Sequence, residues 1–209
     1  MIIRKIENMK AIEYNMMMTI LQLLKQRLPA VASEYGLKYK SIPVLPEYPR
    51  DMTKLNKPSI IVRKVSNSQS KIGMGNFAGS YFDENAMAYT DVIGRVHEYV
   101  IQFDVATSSN SDRLLLESVI ADGILNSIAY NGGKFSFYDF TGDINNPVET
   151  GLISLVGDPY ITSLDTNEDS IIDYVGVIRH EFRVVQTILP KMEYVDLTKW
   201  IKQSYTIKL

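Results

Sequence analysis

Two histidines are the only imidazoles in the chain, and each is followed by a glutamate: His97-Glu98 and His180-Glu181. If the strands that carry them paired in a suitable register, two imidazoles and a carboxylate would approach one another as ligands for a divalent metal or as an acid–base set. Within each dipeptide, however, strand geometry sends the histidine and the glutamate to opposite faces. Cross-strand His/Glu and Arg/Glu pairs on a solvated or interface face are the plainer reading. There is no cysteine, which excludes disulfides, thiolate metal sites and cysteine nucleophiles. No serine, lysine or carboxylate pair stands in a nucleophile or phosphate-loop context, so no enzyme is expected.

A second constellation is Asp165-x-Asn167-x-Asp169, followed by Asp173. Oxygen ligands at these spacings, with the apolar Ile172 before Asp173, imitate a calcium loop of the EF-hand type. The pattern departs from that loop at Ser170, where glycine makes the sharp turn, and at Gly176, where a bidentate carboxylate closes the site. An acidic surface turn is the alternative. Gly73-x-Gly75-x-x-x-Gly79 is one residue too long for a dinucleotide fingerprint and lacks the helix that would receive a phosphate. No cofactor is expected.

The elements that must position these residues centre on residues 96–130. Tyr99, Ile101, Phe103 and Val105 alternate with Glu98, Val100, Gln102 and Asp104, the period of a half-buried, antiparallel strand with one apolar and one mixed face. Residues 107–111 then offer several helix N-caps, and Asp112 favours the positive end of the helix dipole. Leu116, Val119, Ile120, Ile124 and Ile128 recur at helical spacing until Asn131-Gly132-Gly133 stops the helix. A second long strand over residues 171–189 places Tyr174, Gly176, Ile178, His180, Phe182 and Val184 on one face, with Arg179, Glu181 and Arg183 on the other.

Upstream, residues 9–28 read as an amphipathic helix with Ile12, Met16, Ile20, Leu23 and Leu24 in one stripe, stopped by Pro29. The run Met16-Met17-Met18 is expected to pack on a sheet rather than to form an adaptable binding surface. Pro43, Pro46 and Pro49 mark an extended connector, residues 59–66 a short strand, and residues 134–140 and 151–162 further strands. Residues 67–94 join two strands with far more chain than a hairpin needs, as an extended arm or flexible loop. The expected fold is therefore one α/β (α+β) domain across residues 1–209. Its mixed, largely antiparallel sheet is flanked by an N-terminal and a central helix and carries a long loop or hairpin arm. A net charge of −2 gives no global basic field of the kind that marks a general nucleic-acid binder. Residues 16–24 are too short to span a bilayer, so no membrane partner is expected.

The order of a long N-terminal helix, strand, extended loop, long strand, capped helix, further strands and a final long strand resembles the tail terminator (tail completion, neck) proteins of tailed bacteriophages. It is carried by residues 59–66, 99–130 and 171–189. The resemblance implies a virion protein assembled in the host cytoplasm. It would form a hexameric ring that caps the tail tube, contacts the head-connector proteins and lets DNA pass without sequence-specific binding. Another neck, connector or baseplate subunit, or a calcium-dependent binding module, are the alternatives.

Overall fold

In the computed structural model, residues 11–39, 41–50, 55–71, 77–83, 88–166 and 173–188 are described. The long strand expected at the centre is β4, Ala88–Thr107. With β1 (Val44–Leu45), β2 (Ser59–Lys71), β3 (Phe77–Asp83), β5 (Lys134–Asp139), β6 (Val148–Thr166) and β7 (Asp173–Ile188) it forms a seven-stranded sheet in the order β1-β2-β4-β7-β6-β5, and β3 also pairs with β4. Among the described residues only β1 and β2 run parallel, and every other pair is antiparallel. The fold is thus α+β with a mixed, largely antiparallel sheet.

The apolar face of β4 is buried as its alternation requires: Ile101, Phe103 and Val105 are inaccessible and Tyr99 nearly so. Ile178, Phe182 and Val184 of β7 and Ile60 and Val62 of β2 complete the same surface. Phe182 meets Phe103 and Phe135 edge-on, each with ring centroids 6.3 Å apart, the geometry the aromatic quadrupole favours. Each such fully buried side chain contributes roughly 1.5–3 kcal/mol.

The N-terminal helix α1, Ile12–Glu34, buries Met16, Ile20 and Leu24 as its stripe predicts, but it does not stop at Pro29. Proline leaves the Lys25 carbonyl without its helical donor. Pro29 sits on the exposed side, where water can satisfy that oxygen, while Leu28 and Ala32 stay in the core. The helix runs on to Glu34 and is closed by Gly36, whose φ of 79° is the left-handed conformation glycine accepts freely. Gly36 N donates to Ser33 O and Leu37 N to Ala32 O, the paired bonds of a Schellman cap. Met17 and Met18 lie partly buried against the core.

The central helix begins at α2, Asn110–Ser118, capped by Ser109, passes through a π-helical stretch, Val119–Asn126, and closes as α3, Ser127–Tyr130. Leu116, Ile120, Ile124 and Ile128 repeat every four residues, a spacing that drifts by about 40° per step around an α-helix. The wider i→i+5 turn advances less per residue and takes that drift back, which keeps all four side chains in the core. Gly123 lies where α1 crosses this stretch: a Cβ there would stand 2.3 Å from Val31 Cγ1.

Residues 67–71 prolong β2, and residues 77–83 and 88–93 form the β3–β4 hairpin. Pairing with β7 begins at Ile93 and pairing with β2 at Arg95. Among the described residues the hairpin therefore extends beyond the pairing with β7 by five residues, about 17 Å.

Candidate functional site

His97 and His180 both lie on the helix-covered face, 4% and 3% exposed. In the β4–β7 register His97 faces Val184 and His180 faces Ile101, an offset of four residues or about 14 Å along the strands. His97 Nε2 lies 3.0 Å from Gln186 Oε1, and the ring stacks on Tyr99. His180 Nδ1 donates to the Glu181 carbonyl at 2.9 Å, which leaves Nε2 buried without a partner. Burial disfavours the imidazolium and holds the His180 pKa below its ordinary value. Glu98 is on the opposite face, where it accepts from Arg183 Nε at 2.8 Å and Nη2 at 2.6 Å. The histidines and glutamates are thus kept apart. Among the described residues no group of three or more His, Asp or Glu side chains is placed to hold a metal ion.

Of the calcium-loop candidates, Asp165 pairs with Tyr174 near the end of β6, and Asp173 pairs with Thr166 at the start of β7. Asn167 and Asp169 lie outside the described residues. Gly176 lies in β7, as the strand expected over residues 171–189 requires, beneath the carboxylate of Glu117.

Chemically distinctive residues gather instead on the face away from the helices. Asp104, 1% exposed, accepts from Tyr48 Oη at 2.9 Å, Arg63 Nη2 at 2.7 Å and Gln102 Nε2 at 2.5 Å. Gln102 Oε1 in turn accepts from Arg179 Nε at 2.7 Å. The Arg63 guanidinium also lies over the Tyr48 ring, and burial together with the Asp104 charge pushes the Tyr48 phenol well above its usual range. Leu45, Tyr48 and Leu55 cover this end of the face over Ile61 and Ala106. The mixed face of β4 is therefore part covered and part open. The open part carries the Arg183–Glu98 pair, with Ser68 Oγ also donating to Glu98, between the exposed apolar side chains of Leu152, Tyr160 and Val185. This open part thus carries paired charges beside exposed apolar side chains.

A second polar feature lies on α1. Asn15, Thr19, Gln22 and Gln26 form a stripe at helical spacing beside the apolar stripe of α1, and that spacing is the signal that reveals it. Asn15 Oδ1 accepts from Phe140 N at 2.9 Å and Thr19 Oγ1 from Tyr138 N at 3.2 Å. These are backbone donors on the side of β5 that faces away from β6, so α1 stands where another strand would pair and covers half of a sheet edge. At the other edge, Lys64 pairs with Glu13 of the same helix. The sheet is curled enough for α1 to reach both sides.

No helix among the described residues is long and apolar enough to cross a membrane. Comparison with protein-family models finds no match, and comparison with curated proteins finds none either.

Proposed function

We propose that the chain is a structural ring subunit of a bacteriophage neck, of the tail terminator kind, that caps the tail tube and joins it to the head. The observation that carries the reading is the two-sided sheet. One face is sealed by α1 and the central helix, while the other presents Glu98, Arg183, Leu152, Tyr160 and Val185 to solvent beside a projecting hairpin. A subunit in a closed ring needs two such contact regions, one toward each neighbour. The order of elements around the long strands is what supports the resemblance to that family. A net charge of −2 suits a conduit through which DNA slides, because a strongly basic lumen would hold the phosphates.

Negative-stain electron microscopy and native mass spectrometry of the purified full chain test the reading. Closed rings, six subunits for a terminator, are the expected result. Gold labelling of virions with an antibody then places the ring at the head–tail junction. Label at the distal tip would move the protein to the baseplate, and a chain that stays monomeric at every concentration would sink the ring reading.

A further inference from the structure

The register of β5 leaves part of its edge open. Leu155 N donates to Gly133 O at 2.8 Å, and Phe135 faces Ile153 and Phe137 faces Gly151. Residues 133, 135 and 137 therefore bond to β6, and the N–H and C=O groups of Lys134 and Ser136 turn outward. Thr19 and Asn15 cover the edge only from Tyr138 onward. The uncovered part opens into a groove of about 310 Å³ between α1 and β5, bordered by Gln22, Gln26, Arg27, Lys134 and Ser136. No acidic residue lines the groove, and both of its charges are positive.

The β3–β4 hairpin has the complementary character. Its two strands, residues 77–83 and 88–93, carry Asp83 and Asp91 and no lysine or arginine. The outer edge of β3, and that of β4 over residues 88–92, pair with no other strand among the described residues. Two other edges are free among the described residues: that of β6 beyond Leu155, which carries Asp158 and a register irregularity between Val156 and Tyr160, and that of β2, which is interrupted by an irregularity between Lys64 and Ser66. Its Arg63 and Lys64 already pair with Asp104 and Glu13. We infer that the acidic hairpin of one copy docks by strand addition into the basic α1–β5 groove of the next copy. The contact is head-to-tail, joins two different surfaces and so propagates around a ring. It presupposes the ring proposed above and names the surfaces that close it.

The absence of cysteine makes the test direct. Two full-length single-cysteine chains, Ser80→Cys in the hairpin and Ser136→Cys in the groove, are mixed and treated with a short bismaleimide. A cross-linked dimer that depends on having both chains in the mixture is expected. Arg27→Glu with Lys134→Glu should weaken assembly at least about tenfold, as reversing contact charges does. Mixing that variant with Asp83→Lys/Asp91→Lys chains should restore assembly, and circular dichroism checks that both variants fold. Rings without the Ser80–Ser136 cross-link, or with a cross-link to Ser68→Cys on β2 in its place, overturn the docking and leave the ring intact. A chain that never assembles overturns both.

Discussion

Gly176 carries the Glu117 carboxylate directly above its bare Cα. A side chain there would place Cβ 1.9 Å from Glu117 Oε1, and Glu117 is held by Arg113 at 3.2 Å with both residues nearly inaccessible. Gly176→Ala must displace a buried, paired charge, so a loss of about 1–3 kcal/mol in urea unfolding is expected; a loss under about 0.5 kcal/mol, the range of inert surface changes, would show that the pair moves freely. His180 makes a pH prediction. Its native pKa lies below the ordinary value, so on acidification the unfolded chain takes up a proton that the native state refuses. Stability therefore falls as pH drops below about 6.5. His180→Leu should make that fall shallower in denaturation series between pH 7 and 5; an unchanged slope would place the acid sensitivity elsewhere. Strand parity already put His180 on the face of Ile178 and Phe182. What parity could not show was the register, which sets His180 four residues, about 14 Å, along the strands from His97.

At the scale of elements, α1 illustrates how tertiary structure overrides a local stop signal. Pro29 reads as an end, yet the apolar stripe continues through Leu28 and Ala32 to a Schellman cap at Gly36. Pro29→Ala restores the N–H that the Lys25 carbonyl lacks. An internal proline costs ~3 kcal/mol, and its rigidity in the unfolded chain offsets up to ~1 kcal/mol of that. The variant should therefore be more stable by roughly 2 kcal/mol in chemical denaturation; no gain would mean that the helix bends to accommodate the ring. The edge of β5 depends on the same helix. Thr19→Val and Asn15→Leu leave Tyr138 N and Phe140 N without acceptors, at about 1–3 kcal/mol for each buried donor. Faster hydrogen exchange at those two amides is the expected reading, and unchanged protection would show that another group satisfies them. The π-helical stretch was present in the sequence only as a repeat of four, a period too close to that of an α-helix to separate by inspection. The strand character of residues 77–83 and 88–93 was partly legible, since Phe77, Tyr81, Phe82, Tyr89, Val92 and Ile93 favour strands, but the small and polar residues among them left the choice between a loop and a hairpin arm open.

For the whole molecule, the two long strands and the capped helix between them were legible because each buries one full face, and burial imposes a period on sequence. The open face of the sheet obeys no such rule. Gln102 and Asp104 are buried there by residues far upstream, Tyr48 and Leu55, while Glu98 and Arg183 two rows away remain in solvent. Alternation cannot distinguish a polar residue under a loop from one awaiting a partner. The exposed apolar residues make that distinction testable. Leu152 and Tyr160 are 52% and 64% exposed on β6, on the same side of the sheet as the Arg183–Glu98 pair. A monomer tolerates single exposed apolar side chains, so Leu152→Glu with Tyr160→Glu should leave the thermal midpoint and circular dichroism of the isolated chain nearly unchanged. In an assembly that buries this face, the same pair of substitutions places two carboxylates in an apolar contact, where charged groups cost several kcal/mol unless paired. Light scattering coupled to size exclusion should then show the assembled species replaced by monomer. If the double variant assembles as the parent does, the open face points away from the subunit contacts, and the hairpin and groove must hold the ring without it.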